Sequence, residues 1–385
     1  MNSLKNRLKK IYVIFFTRRP FKIRSFEKLY AKKAGAPLDV PESLSGILHT
    51  EQGAMLFYSK PPVCINGEVN YRLIDKEKRY LPTGLFREPE RCIYSVSKGC
   101  LIGPLGLCYD ESHRAFIDES AKEWTLNLKY SPYTNMMHYP AKEYLSGISL
   151  SCLTNSAEAG FYHFLIEAMI KIYYCGPMLS LADHILFNGP ATEWKIKWLR
   201  HAGVDIDKIK WVSNTSHYEC EQLIFTSRLI SDQQISNWCI NALKNLFGIS
   251  LPDIDTIKTK KILWISRNGL KERDLQWENE ILATYPEIEA IDLSELDVSS
   301  TINKFQSASH VIGPHGAGLS NVYLCCPGAK ILEIYPQSVT FQPCYQRMAE
   351  LCRLEHYIMY LDFKNKENPE IGINAFTNAF IKFRC

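Results

Sequence analysis

The chain has 385 residues, 46% of them hydrophobic and 22% charged, with a net charge of +4, a globular composition and enough length for two domains. Up to residue 28, nine basic residues face the single acid Glu27, so this tip carries +8 and the remainder −4. That balance argues against a nucleic-acid-binding body and for a basic tip meeting an anionic membrane surface. Thirteen cysteines, an odd number without any CxxC spacing, exclude a disulfide framework and a zinc cluster and fit reduced buried thiols in a cytoplasmic protein.

Within the tip, Ile11–Phe16 is an apolar run of six residues, where a bilayer span needs about 20. Residues 1–28 are therefore expected to form a basic amphipathic helix making a peripheral contact with a membrane, or docked as an ordinary terminal helix. Residues 29–150 alternate short apolar runs with Pro, Gly and Tyr, as in PPVCING and GCLIGPLGLCYD, and predict β-rich or irregular structure. From Ser149 the pattern sharpens. Phe161, Phe164, Leu165, Ala168, Met169, Ile172 and Tyr173 form one helical stripe, with His163, Glu167 and Lys171 at i, i+4, i+8 on another face. Strands are predicted at 184–187, 210–213 and 222–226, and helices at 192–202, stopped by Gly203, and at 232–247. This alternation predicts a parallel α/β sheet.

The segment 248–260 reads as a linker. A second alternation follows: strands at 262–266 and 289–293, helices near 275–284 and 299–307, then ASHVIGPHGAGLSNVYLCCPGAKILEIYP over 308–336. That stretch predicts strand, glycine-rich loop, short helix and strand. A helix at 343–352, a strand at 357–361 and a helical tail at 375–382 complete the chain. The domain organisation expected is a basic segment 1–28, an N-terminal domain 29–250, a C-terminal domain 251–365, and a C-terminal helix within 366–385 packing back on the first domain. The fold class is α/β, two Rossmann-like domains facing across a cleft.

The loop Gly313-Pro314-His315-Gly316-Ala317-Gly318 lies where a strand hands over to a helix. Small residues there let backbone N–H groups approach an anion closely, and His315 adds a hydrogen-bond donor. A tight turn requiring positive φ would explain the glycines as well. Arg267 and Arg273 follow the strand ending at Ser266, on the edge where open α/β sheets bind ligands. They offer forked cationic donors to a diphosphate, unless Glu272, Asp274 or Glu278 pairs with them. Asn321 flanks the loop. Glu333, inside an apolar strand, needs a partner: ligand hydroxyls or a nearby cation. His163 and Glu167 can act as a base and its orienting carboxylate, or be a plain i,i+4 pair. Two DxD strings, Asp205-Ile206-Asp207 and Asp253-Ile254-Asp255, are too common a spacing to mark a metal site. P-loop, GxSxG and HExxH motifs are missing from the sequence, which lowers P-loop, α/β-hydrolase and zincin chemistry. GPHGAG also departs from the GxGxxG of a dinucleotide-dependent oxidoreductase.

The block HGAGLSN, followed by Pro327-Gly328 and the strand ILEIYP, resembles the signature of glycosyltransferase family 61. ISRNGLKERDLQWENEI resembles its upstream Ser-Arg … Arg … Asn-Glu segment, and GFYHFLIEAMIKIYY its H-[FW]-L-x-E helix. The chain departs from the family at Gly160 and at Ser300-Thr301, and Asn279-Glu280 are displaced by one position. The resemblance covers about 150–360 and implies a GT-B fold and inverting, metal-independent transfer from a nucleotide sugar, UDP-linked, with no cofactor required. It implies that Arg267, Arg273 and the loop His315, Gly316, Ala317, Gly318 hold the diphosphate, that Asn321 belongs to the same nucleotide-sugar site, and that Glu333 meets ribose hydroxyls. His163 or Glu167, with Glu158 third, would serve as base. The acceptor implied is a glycan or lipid-linked glycan of capsule or lipopolysaccharide. A catalytically inactive nucleotide- or glycan-binding module is the rival reading.

Overall fold

The computed structural model describes residues 22–23, 46–52, 55–58, 63–68, 84–116, 139–154, 156–158, 160–230, 235–252, 261–267, 275, 277–363 and 369–384. The chain divides into two compact units, Met1–Ala54 with Pro89–Asp232, and Met55–Glu88 with Gln233–Cys385. Each is α/β.

The first unit is built on strands β1 (Lys22–Ile23), β2 (Gly46–Glu51), β3 (Arg91–Ser97), β4 (Cys100–Ile102), β5 (Leu107–Tyr109), β6 (Arg114–Ala115), β7 (Glu143–Ser151), β8 (His184–Asn188), β9 (Ile209–Val212) and β10 (His217–Thr226). They form one sheet in the order β1-β6-β5-β4-β10-β7-β8-β9, with β3 also on β10 and β2 on β3. Only β10, β7, β8 and β9 make the run of parallel neighbours the sequence predicts. The residues before them add an antiparallel extension through β3 and β4. Ile185, Leu186 and Phe187 are buried without alternation, because a central parallel strand is covered on both faces. Helix α1 comprises Phe161–His163, a π-helical turn Phe164–Met169, and Ile170–Tyr174. The amphipathic reading of α1 is corrected here. Glu167 and Lys171 are as buried as the apolar stripe, and Lys171 Nζ donates to Leu153 O. Helix α2 (Glu193–His201) ends as expected at Gly203, whose φ of +76° and Val204 N–H to Leu199 O bond close a Schellman turn.

The second unit contains β11 (Lys261–Ile265), β12 (Ile288–Ile291), β13 (Ala308–Pro314), β14 (Lys330–Pro336) and β15 (Glu355–Leu361). All run parallel in the order β12-β11-β13-β14-β15, with Val63–Cys64 added at the edge. This is the doubly wound order 2-1-3-4-5, whose switch point lies between its first and third strands, here β11 and β13. The helices of this unit are α3 (Asn237–Leu246), α4 (Glu278–Thr284), α5 (Val298–Gln306), α6 (Cys344–Leu351) and α7 (Pro369–Arg384), and a separate antiparallel pair joins Met55–Tyr58 to Gly84–Arg87.

Three boundary expectations change. Residues 55–88 belong to the second unit, where Asn66 exchanges two hydrogen bonds with the backbone of Tyr360, at 2.7 and 3.0 Å. The division falls after Asp232 rather than at 250, because α3 packs on α6. The tail helix α7 packs on the second unit's own core. Its Phe376, Ala379, Phe380 and Phe383 recur at helical spacing and bury with Trp264, Ile281 and Met359. The expected helix 1–28 lies outside the described residues except for Lys22–Ile23, which are extended and pair with Arg114 and Ala115. Among the described residues no helix is long and apolar enough to cross a membrane. The twelve described cysteines are free thiols.

Candidate active site

The carboxyl ends of β11 and β13 bring together two sequence segments predicted to meet. β11 ends at Ile265 and delivers Ser266 and Arg267. β13 ends at Pro314 and delivers His315 and Gly316, with a 3₁₀ helix over Ala317–Leu324. None of Gly313, Gly316 and Gly318 occupies the left-handed region, so a turn requiring positive φ does not account for them. Close approach does. A β-carbon on Gly313 would sit 3.1 Å from Ile265 Cβ, and one on Gly318 2.9 Å from Ile265 Cγ2 and 3.0 Å from Leu293 Cδ1. A β-carbon on Gly316 would overlap Arg267 Nη1 and lie 3.1 Å from its Cζ. The guanidinium therefore rests on the backbone of Gly316.

Glu278, at the first turn of α4, holds the end of β11. It is buried, accepting from Ser266 Oγ at 2.5 Å and from Arg267 N at 3.4 Å. The sequence offered Glu278 as an alternative partner for Arg267; what it takes is the backbone amide. Arg273, Glu272 and Asp274 lie outside the described residues.

His315 is 3% exposed. Its Nδ1 donates to Glu333 Oε1, and its ring stacks on Tyr335 at 4.6 Å between centroids. Glu333 has no exposed surface, and its second oxygen accepts from His356 Nε2 at 3.0 Å. Burial alone would raise the Glu333 pKa, but the charge and hydrogen bond of His315, joined by His356, outweigh it and hold the carboxyl at about 2. Burial, followed by the Glu333 charge, pushes the Tyr335 phenol well up. The expectation that Glu333 meets ribose hydroxyls is thus corrected: both of its oxygens are taken by histidines. Asn321 is buried, and its Nδ2 donates to Gly318 O at 3.0 Å, closing the 3₁₀ turn. His356 was not singled out from the sequence. His356 pairs in register with Ile331, two residues from Glu333, a neighbourhood that appears only once strand order is known.

In the first unit, His163 Nδ1 and Glu167 Oε1 form the expected pair at 2.7 Å. The His163 side chain is 25% exposed and that of Glu167 7%. Glu167 lies within the π-helical turn, a distortion often found at functional sites, and its Oε2 is buried without a hydrogen-bond partner. Asp205 of the first DxD caps a 3₁₀ turn by accepting from Asp207 N at 3.1 Å, a structural use; the second DxD is outside the described residues. No cluster of three or more metal-ligating residues occurs among the described residues.

A β-1,2-xylosyltransferase of Arabidopsis thaliana is 31% identical over 94 residues, 24% of this chain and 17% of that protein's length. The metal-soaked Flv1 flavodiiron core from Synechocystis sp. PCC6803 aligns over 76% of this chain and 64% of its own, with 7% identity and a TM-score of 0.24, too low to bear on the fold. The family model described as Glycosyltransferase 61 matches 161–332. That match runs from the first residue of α1, the helix that bears His163, into strand β14.

Proposed function

We propose that this protein is an inverting, metal-independent glycosyltransferase that moves a sugar from a UDP-sugar to a glycan or lipid-linked glycan acceptor. The process served is assembly of a surface polysaccharide such as capsule or lipopolysaccharide. The observation that carries the reading is the Arg267 guanidinium lying on Gly316 at the β11/β13 switch point. A diphosphate bound there meets a forked cation and the start of a 3₁₀ helix within one small site.

In this reading the acceptor oxygen attacks the anomeric carbon on the face opposite the diphosphate. The bond from that carbon to the diphosphate oxygen breaks, and the electron pair leaves with the diphosphate. Arg267 and Arg273, with the backbone of His315–Gly318, stabilise the departing charge in place of a metal. Asn321 holds the turn, and Glu333 supports His315 rather than the ribose. The acceptor proton passes to His163, whose imidazole Glu167 orients and charge-stabilises. The reading carries the GT-B arrangement with it, the second unit taking the donor and the first the acceptor. The basic segment 1–28 would keep the enzyme at the cytoplasmic face of a membrane; equal vesicle binding by full-length and 1–28-deleted protein would remove that part.

The test is thermal melting of the purified protein with a panel of nucleoside diphosphates and their sugars, in chelator and without added metal. Selective stabilisation by UDP, lost in Arg267→Ala, is expected. No shift with any nucleotide would overturn the reading. Binding without transfer to any glycan acceptor would favour an inactive binding module.

A further inference from the structure

Among the described residues of the first unit, Lys195 is the most completely enclosed charge, with no exposed surface. Its ammonium donates into a cage of main-chain oxygens: Glu158 O at 2.7 Å, Asn188 O at 3.0 Å, Pro190 O at 3.2 Å and Gly189 O at 3.5 Å. Three of these carbonyls belong to the turn leaving β8, and the fourth belongs to the segment that enters α1. No carboxylate shares the cage. Burial, only partly offset by the Glu158 charge, lowers the amine's pKa to about 8, so it is charged at neutral pH. An ammonium buried on carbonyls, with the Trp194 ring centroid 5.5 Å away as its other contact, is an expensive way to fill space, since an apolar chain of the same length would fill it without the desolvation cost.

The cage has a second attachment to the same helix. Trp194, the residue before Lys195, packs its ring edge-on against Phe161 at 5.7 Å and Phe164 at 5.0 Å, and Trp198 reaches Phe161 at 5.4 Å. The first turns of α2 therefore grip the start of α1 by its aromatic side chains and by the carbonyl of Glu158. Between these grips lies Gly160, whose missing β-carbon leaves room for His163: a β-carbon there would sit 3.3 Å from His163 Cδ2. Moving the Glu158 carbonyl moves the surface on which the imidazole edge rests.

We propose that Lys195 is a positioning residue for His163, its caged ammonium setting the entry of α1 and through it the orientation of the imidazole. The importance of that orientation to catalysis rests on the glycosyltransferase reading, but the positioning itself does not. The cage is also suited in size and chemistry to a free monovalent cation once the lysine is shortened, because its carbonyl oxygens would then stand around an empty ammonium-sized space.

The experiment follows the His163 imidazole resonances by NMR, without nucleotide or acceptor, in wild type, Lys195→Met, Lys195→Arg and Lys195→Ala, each in sodium, potassium and ammonium chloride. Lys195→Met should fold yet shift or broaden the His163 signals. In Lys195→Ala, ammonium or potassium but not sodium should return them toward wild type and raise the melting temperature, an ion dependence wild type lacks. Transfer by Lys195→Met should lose about 100-fold in kcat with donor KM unchanged. His163 signals in Lys195→Met that superimpose on wild type, or a Lys195→Ala protein whose spectrum and melting ignore the cation, would overturn the proposal. Should Lys195→Ala not fold, Lys195→Met and Lys195→Arg decide it. Wild-type protein that binds no nucleotide and transfers nothing would remove the catalytic reading and leave the NMR result standing.

Discussion

His315 and Glu333, eighteen residues apart in sequence, form a buried imidazole–carboxylate pair, and His356 closes the other side of the carboxylate. Removing the acid leaves two buried histidines without their acceptor. Glu333→Leu is therefore expected to lose about 3–5 kcal/mol in urea unfolding, and Glu333→Gln, which keeps an acceptor, less. The folded carboxyl lies near 2 against an ordinary 4.5. A depressed acid contributes its stability above the unfolded value and loses it as pH falls. The difference between wild type and Glu333→Gln should thus shrink as pH falls from about 4.5 toward 2, as far down as the native state persists. A difference independent of pH across that window would contradict an ionised Glu333.

Gly316 is held open by Arg267 rather than by its backbone torsions. In Gly316→Ala the added methyl meets the flexible end of a side chain, which can swing away. The melting temperature should change by no more than about 0.5 kcal/mol equivalent, while UDP affinity falls at least about tenfold, the loss of one well-placed charged hydrogen bond. Calorimetric titration with UDP checks it; unchanged affinity would show that the guanidinium position does not matter to the donor.

His163→Ala should lower kcat by about 10²–10⁴-fold and leave nucleotide-induced stabilisation intact, because the residues proposed to bind the donor belong to the other unit. Glu167→Gln, which keeps the side-chain shape but not the charge, should cost less. Transfer assays run alongside UDP melting shifts separate the two effects. Equal kcat in His163→Ala and wild type would take the base away from His163.

Gly372, in α7, faces the Trp277 indole so closely that a β-carbon would stand 2.5 Å from Cζ2 and 2.7 Å from Cε2. Trp277 is 1% exposed and cannot retreat. Gly372→Ala should push α7 off the core and cost about 1–3 kcal/mol, despite alanine's better helix propensity. A variant as stable as wild type would show that α7 tolerates displacement.

What could be read in advance divides along physical lines. The second unit's strands and helices were legible because each is a run of apolar residues of one period, punctuated by turn residues such as Pro327-Gly328. The loop after β13 and the strand end before Arg267 were also legible as neighbours, because parallel sheets collect such ends on one edge. The glycines were read for two reasons, ligand approach or positive φ. The structure supplies a third, contact with Ile265, Leu293 and Arg267, which no local pattern encodes.

Partner identity across strands was not legible. Glu333 within ILEIYP announces only that a buried charge needs company. That the company is His315 and His356, not a ribose, follows from which strands pair and in what register. Likewise Lys195 reads as one more lysine in a surface helix until α2 is packed against β8 and its amine is turned inward. By itself the sequence determined the alternation of elements, the glycine-rich loop, the His163–Glu167 spacing and the basic tip, because periodicity and i,i+4 geometry are local. Only the tertiary structure decided where charges go, because in a folded interior each must find a partner among residues distant in the chain.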